Sequence, residues 1–177
     1  MTDRWEAEIR YEALRDVARE VSRAQLSQLG LDLTPKDWDE IRFSAIDGDA
    51  LEIWEATWPV KEFDWSEVDG HFKRDTDRFE LAIWRGEELC GLSSGRVSNG
   101  PDNVTIHFLE RMRPDNRLRG KIALIATDVA ERYGKILEKQ RVKIKDPFVD
   151  AIVVYEGLGF VLAQPLGMTT YYARPIG

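Results

Sequence analysis

The chain has 177 residues, of which 43% are hydrophobic and 32% charged, and its 25 basic and 32 acidic side chains give a net charge of −7. This length and composition suit one folded domain with a continuous apolar core, and they exclude a wholly disordered chain. Net acidity argues against a general nucleic-acid binder. The charge is uneven, because residues 1–80 carry 21 acids and 11 bases, whereas residues 81–177 carry 11 acids and 14 bases.

Several features predict a cytoplasmic protein without a metal or a membrane span. No run approaches the roughly 18 apolar residues that a membrane span needs, and the first residues are charged rather than an apolar secretory core. The single cysteine, Cys90, excludes an intramolecular disulfide, and the two histidines, His71 and His107, lack metal-ligand spacing.

The first predicted element is a helix over residues 3–29, which Gly30 ends. We expect its apolar stripe to pack either on the rest of the chain or on a second copy in a homodimer. The stripe consists of Trp5, Ile9, Ala13, Leu14, Val17, Val21 and Ala24.

The rest of the chain predicts a mixed α/β domain whose central sheet carries helices on both faces. Thr34 and Pro35 begin a short link before the first strand. The elements are then a strand at 40–47, helices at 50–58 and 64–74, strands at 79–84, 89–97 and 104–112, a helix at 121–133 ended by Gly134, a strand at 136–144, a helix at 147–158 ended by Gly159, and short strands near Val161 and at 169–173.

The segment 111–121, with the sequence RMRPDNRLRGK, carries the clearest chemical signal. It lies between an apolar strand and an apolar helix, where the first helical N–H groups have no internal partners and favour anions. Gly120 permits close approach of the backbone to a ligand. The segment therefore predicts a diphosphate site, with a plain basic loop as the alternative. Its five cationic residues are Arg111, Arg113, Arg117, Arg119 and Lys121.

Two motifs resemble the GCN5-related N-acetyltransferase (GNAT) superfamily. The first is Pro114-x-x-Arg117-x-x-Gly120 before an apolar helix, and the second is Ala151-x-x-x-Tyr155-x-x-x-Gly159-Phe160. The resemblance extends from about residue 39 to residue 173 and implies a mixed, largely antiparallel sheet with helices on both faces. It implies an acyltransferase domain over residues 37–177, with residues 1–36 as an N-terminal helical extension.

The resemblance also implies acetyl-CoA, or another acyl-CoA, as co-substrate, with its pyrophosphate on the loop amides. Arg117 matches the family's Gln or Arg, and Gly120 matches its glycine. Leu118 stands where glycine is frequent and Ile122 where the family has Gly or Ala, so we expect the branched Ile122 side chain to crowd the loop. The implied cofactor-binding residues are Met112, Arg117, Leu118, Arg119, Gly120, Lys121 and Ile122.

Two residues are candidates for proton transfer. The resemblance implies that Tyr155 is the general acid that reprotonates the CoA thiolate, and the alternative is a core tyrosine. Glu110 is the candidate base for the amine, because strand alternation puts it on the apolar face of Val104, Ile106, Phe108 and Met112, where burial would favour its neutral form. Its alternative role is an ion pair with a neighbouring arginine.

The acidic half offers an acceptor surface. Trp54, Trp58 and Trp65 lie among carboxylates, and aromatic faces with nearby acids suit a cationic amine. The alternative is that these tryptophans belong to the core. The predicted function is acetyl transfer to a primary amine of a small molecule or peptide. The alternatives are a non-catalytic GNAT-like protein-binding module and a related synthase that uses longer acyl chains.

Overall fold

The computed structural model describes residues 2–163 and 167–177. Within these residues, six helices pack around one seven-stranded sheet. The helices are α1 (Thr2–Leu29), α2 (Pro35–Glu40), α3 (Gly48–Thr57), α4 (Trp65–Phe72), α5 (Ile122–Ile136) and α6 (Val149–Gly157). The strands are β1 (Ile41–Ser44), β2 (Phe79–Arg85), β3 (Glu88–Val97), β4 (Asn103–Arg111), β5 (Arg141–Lys145), β6 (Val161–Leu162) and β7 (Tyr171–Pro175).

The strand order is β1-β2-β3-β4-β5-β7-β6, and every neighbouring pair is antiparallel except β4 and β5. One core lies between the sheet and helices α1, α5 and α6, and the second lies between the opposite face and helices α3 and α4. The predicted mixed, largely antiparallel sheet with helices on both faces is confirmed. Among the described residues, no helix is both long and apolar enough to cross a membrane.

Helix α1 packs on α5 and on the sheet, with Ala18 and Leu26 buried in the core, and buried arginines on the same side of the helix bond to the chain that enters β2. Arg15 is 1% exposed and donates to the carbonyl oxygens of Thr76 (2.8 Å) and Arg78 (3.1 Å). Arg19 donates to the carbonyl oxygen of Glu80 (3.1 Å). These bonds give hydrogen-bond donors to the backbone carbonyl oxygens of the segment that leads into β2. Charge-assisted hydrogen bonds therefore hold this face of the helix against that segment.

Most of the apolar stripe of α1 points away from the domain. Trp5 is 67% exposed, and Ile9, Val17 and Val21 are also exposed. Leu14 is the exception, since it packs on the core of its own chain. Packing of the exposed part of the stripe on a second copy remains a prediction.

The structure adds one helix to the prediction and extends another. Residues 35–40 form helix α2 instead of a link, because Thr34 and Asp37 make a capping box. Helix α5 continues through Gly134 to Ile136, so β5 begins only at Arg141. Gly134 is a packing residue: a β-carbon there would lie 2.7 Å from Ile176 Cδ1. Close approach, and not a helix end, explains this glycine.

A bulge in β4 changes the predicted strand face. Successive residues of β3 pair with Ile106 and Phe108, which leaves His107 without a partner. Val104 and Ile106 therefore pack on the α1/α5/α6 side, whereas Phe108 packs on the α3/α4 side. The expectation that Val104, Ile106, Phe108, Glu110 and Met112 share one face was wrong, because one extra residue inverts the alternation beyond it.

Candidate active site

A cleft opens where β4 and β5 separate. The two parallel strands pair only as far as Ile106 and Ile144, although β4 continues to Arg111. Beyond that point the edge of β4 that faces β5 has no strand partner among the described residues. The opening has a volume of about 880 Å³ and lies at the carboxyl ends of two parallel strands, a frequent place for ligands.

The cleft connects the two faces of the sheet. On the α5 side it is lined by Arg111, Arg119, Gly120 and Ala123. On the α3/α4 side it is lined by aromatic rings that belong to, or pack on, the second core. These rings are Phe63, Phe108 and Phe148. One end therefore presents cations and a helix N-terminus, and the other presents an apolar wall.

The loop before α5 is anchored by its apolar residues. Leu118 and Ile122 are 0% and 3% exposed. The Ile122 side chain points into the core, since a β-carbon at Gly91 of β3 would lie only 3.0 Å from its Cγ2. The side chain thus packs against the core, although Ile122 also lines the cleft, and the first N–H groups of α5 lack intrahelical partners. Gly120 has a φ of +84°, which glycine adopts without strain.

Asn116 organises this loop, and sequence reasoning missed it. Its side-chain amide donates to the carbonyl oxygens of Cys90 (2.7 Å) and Met112 (3.1 Å), and its Oδ1 accepts from the Leu118 amide (2.8 Å). An asparagine between an arginine-rich turn and a helix is the signal that could have found it, because such residues bond to nearby backbone. Met112 packs its side chain on the α3/α4 core, away from the predicted phosphate site.

The cations of the loop divide into two groups. Arg113 pairs with Glu62 (3.2 Å), and Arg117, which is half exposed, pairs with Glu40 (3.3 Å). Arg111 and Arg119 line the cleft, and within the described residues neither has a carboxylate oxygen within 4.0 Å. Lys121 directly precedes α5 and, among the described residues, has no ion-pair partner, but it does not line the cleft.

Tyr155 reaches the cleft from α6. It is 4% exposed and meets Phe160 edge-to-face with ring centroids 6.0 Å apart. Burial raises the pKa of Tyr155 to about 12. The hydroxyl is thus protonated at neutral pH and makes no hydrogen bond within the described residues, so its proton is available to a group in the cleft.

Glu110 also lines the cleft, and its carboxylate holds the segment before α4. It accepts hydrogen bonds from the Glu62 amide (2.7 Å), the Phe63 amide (3.3 Å) and the Trp65 indole (2.8 Å). Neither Arg111 nor Arg113 is its partner within 4.0 Å. The bulge at His107 makes these contacts possible, because it turns Glu110 toward α4.

The three tryptophans predicted to contact an acceptor lie in the α3/α4 core. Trp54, Trp58 and Trp65 are at most 5% exposed, and none lines the cleft. Trp58 donates to the carbonyl oxygen of Leu89 (3.0 Å). The expectation that these tryptophans form an exposed aromatic surface is therefore corrected. Helix periodicity places Trp54 and Trp58 on one side of α3, and that side packs on β2 and β3 in the core.

Burial shifts the pKa values of two further polar side chains, His107 and Cys90, in directions that disfavour a catalytic role. His107 lines the cleft, but burial lowers its pKa to about 4, so it accepts protons poorly. Burial raises the pKa of the Cys90 thiol to about 12, and a thiol in that form is a weak nucleophile.

Comparison with known proteins adds the fold. The sequence matches no protein-family model and no curated protein. The structure is similar to the ribosomal-protein-S18-alanine N-acetyltransferase of Escherichia coli, with 16% identity, 77% of this chain, 94% of that chain and a TM-score of 0.59. It is also similar to an acetyltransferase of Thermus thermophilus, with 16% identity over 76% of this chain and 96% of that chain and a TM-score of 0.58. An aminoglycoside 6'-N-acetyltransferase crystallised with coenzyme A has 15% identity over 76% of this chain and 97% of that chain, with a TM-score of 0.55.

These neighbours are N-acetyltransferases or acetyltransferases, and the similarity covers about three quarters of this chain. Identities of 11–16% establish architecture alone. The chain has the fold of the GNAT superfamily.

Proposed function

We propose that this protein is an acyl-CoA-dependent N-acyltransferase that moves an acetyl group from acetyl-CoA to a primary amine by direct transfer. The observation that carries the proposal is the cleft beyond Ile106, which joins two unpaired arginines and a helix N-terminus to a buried, protonated tyrosine. The compartment we propose is the cytoplasm, which agrees with a lone, unpaired cysteine.

The α5 end fits the pyrophosphate of a CoA thioester. Arg111 and Arg119 supply charge that no described carboxylate neutralises, and the Ile122 and Ala123 amides begin the helix. Anions bind at such ends through N–H groups and the helix dipole. The inward Ile122 side chain leaves this backbone approachable. The open edge of β4 offers backbone groups to the amides of the pantetheine arm.

The chemistry needs one bond made and one broken. The neutral amine attacks the thioester carbonyl carbon, a C–N bond forms, and the C–S bond breaks as the tetrahedral intermediate collapses. Tyr155 gives its proton to the departing thiolate, and the amine nitrogen loses one proton to a base or to water. Tyr155 returns to its neutral form by taking up a proton from solvent.

Glu110 remains our candidate for that base, and its contacts suggest a second role. Because its oxygens already accept three hydrogen bonds, taking a proton from the amine would weaken at least one of them. The same bonds make Glu110 a positioning residue for Phe63 on the acceptor side. The two roles differ in measurable ways.

Titration calorimetry with acetyl-CoA and CoA tests the proposal. Wild-type protein should bind both, and Arg119→Ala should weaken binding about tenfold or more, because an unpaired charge at the phosphate is lost. Arg10→Ala, an exposed arginine on α1, is the matched control and should bind as wild type. Absence of both heat and thermal shift at millimolar acetyl-CoA would overturn the proposal.

A second candidate function is a non-catalytic GNAT-like module that binds a protein. The exposed apolar side chains of α1, among them Trp5 and Ile9, favour it, because a contiguous exposed apolar surface marks interaction sites. This function predicts that acetyl-CoA neither binds nor is turned over, so the same titration separates the two candidates.

A further inference from the structure

The acceptor end of the cleft is built from phenylalanines. Phe63, from the segment between α3 and α4, meets Phe108 of β4 edge-to-face with centroids 5.0 Å apart. On its other side Phe63 stacks on Phe148, at 5.9 Å and an interplanar angle of 18°. Phe148 directly precedes α6, which belongs to the opposite arm of the cleft. The stacked pair therefore bridges the two arms on the α3/α4 face of the sheet.

The wall is open to solvent. Phe148 is 52% exposed although it is a large apolar side chain beside other rings. Exposed aromatic surface in a concave site favours an apolar ligand that covers it. Offset stacking and edge-to-face contacts are the geometries that such rings already adopt with one another, and an aromatic ligand can join them.

The carboxylates of the cleft are mostly committed to other partners. Glu62 pairs with Arg113, the Glu110 carboxylate accepts three hydrogen bonds, and Asp146 accepts from the Thr170 amide (2.8 Å). Among the described lining residues, Asp150 is the carboxylate with neither an ion pair nor a side-chain hydrogen bond. Four basic residues also line the cleft, namely Arg111, Arg113, Arg119 and Lys145.

The carboxylates available at this end disfavour a polycation. An acceptor with several ammonium groups needs several free carboxylates, and Asp150 is the one described lining carboxylate without an ion pair or a side-chain hydrogen bond. One amine near one available carboxylate fits the lining, with the rest of the molecule apolar.

We propose that the acceptor is a monoamine carried on an aromatic group, whose ring packs against Phe63, Phe108 and Phe148. This inference rests on the proposed function, since it names the substrate class of the same site. It makes Phe148 a specificity-determining residue that contacts the acceptor body and takes no part in proton transfer.

The test compares acceptors and measures binding apart from turnover. Phenethylamine and spermidine are titrated into protein saturated with CoA, and CoA release from acetyl-CoA is then followed with each amine. We expect kcat/KM for phenethylamine to exceed that for spermidine by about tenfold or more, as the ring contacts are worth that much. Equal values, or a preference for spermidine, would overturn the inference.

Substitutions of Phe148 test whether this ring contacts the acceptor. Phe148→Ala should raise KM for phenethylamine about tenfold with little change in kcat, and Phe148→Leu should lie between Phe148→Ala and wild type. Trp5→Ala, an exposed aromatic on α1, is the matched control and should leave both constants unchanged. An unchanged KM in Phe148→Ala would overturn the assignment of the wall.

Failures of the two proposals are distinguishable. If CoA binds and phenethylamine does not, the acceptor inference is wrong and the cofactor assignment stands. If CoA does not bind, the proposed function fails, and titration of phenethylamine into the protein alone, with Phe148→Ala as reference, still decides whether the wall takes an aromatic amine.

Discussion

Tyr155 and Glu110 line the same cleft but have opposite surroundings. Tyr155 is surrounded by apolar groups, and burial keeps its proton in place at neutral pH. Glu110 is equally buried, yet three N–H donors meet its oxygens. The first environment keeps the hydroxyl protonated and makes the tyrosinate costly, so the proton must be restored quickly after transfer to a thiolate. The second environment stabilises a charged carboxylate that fixes a loop.

Tyr155→Phe tests the general acid. Loss of the hydroxyl should lower kcat about 100-fold or more, because proton transfer to the leaving group contributes on that scale. Acetyl-CoA affinity, measured by calorimetry, should stay at the wild-type value since the ring still packs on Phe160. A large loss of affinity would instead indicate structural damage.

Glu110→Gln separates the two roles of Glu110. The amide nitrogen of glutamine would face a backbone or indole N–H, so unfolding free energy should fall by about 1–3 kcal/mol. With a positioning role, the amine KM rises and the shape of the pH–rate profile is retained. With a base role, kcat falls and the acidic limb of that profile disappears. Urea unfolding and pH–rate measurements on this variant decide between them.

At the level of elements, α1 illustrates why periodicity alone left its docking face open. The helix has an apolar stripe, but its contact with β2 is made by buried guanidinium groups that bond to backbone carbonyls. Arg15 also bonds to Glu12 (2.8 Å) and Glu8 (3.2 Å), so the charge is paired as well as buried. The chain between α4 and β2 exposes carbonyls that only such donors satisfy.

Arg15→Met should therefore lower the free energy of unfolding by about 3–5 kcal/mol, as expected when one partner of a buried ionic network is removed. Val17→Met, two residues away on the exposed stripe, is the control, with an expected change within about 0.5 kcal/mol. Urea unfolding followed by tryptophan fluorescence measures both. Equal stabilities of the two variants would contradict the assigned docking face.

For the whole molecule, stability should depend on pH through buried titratable groups. Burial lowers the pKa of His107 in the folded protein from its usual 6.5 to about 4. Between these two pH values the unfolded chain binds a proton at His107 and the folded chain does not, so stability falls as the pH is lowered. Below pH 4.5, Glu80 acts in the same direction. Burial opposes its charged form, but Lys73 and Arg78 outweigh burial and lower its pKa, so stability is lost as the pH falls through that value.

Urea unfolding between pH 7 and 5 checks this dependence. Unfolding free energy should decrease as the pH is lowered, with a contribution from His107 that approaches about 1.4 kcal/mol per pH unit below its unfolded pKa. His107→Gln should flatten the curve in this range. An unchanged slope in His107→Gln would show that another group is responsible.

Local signals were sufficient for most of the fold. Alternation and helical spacing predicted the order of strands and helices from residue 40 onward, and the basic loop with its Gly120 predicted the position of the helix N-terminus at the cleft. The errors include α2, where a capping box was not recognised, Gly134, where a glycine was interpreted as a helix end, and β4, where a bulge was not foreseen.

By itself, the sequence determined the mixed α/β architecture, the cationic loop and the tyrosine motif, because these depend on spacing along the chain. The tertiary structure decided which groups face the cleft. One bulge residue, His107, turned Phe108 and Glu110 to the other face of the sheet, and packing buried the tryptophans and directed Ile122 inward. Such outcomes depend on contacts between residues far apart in the chain, which no local pattern encodes.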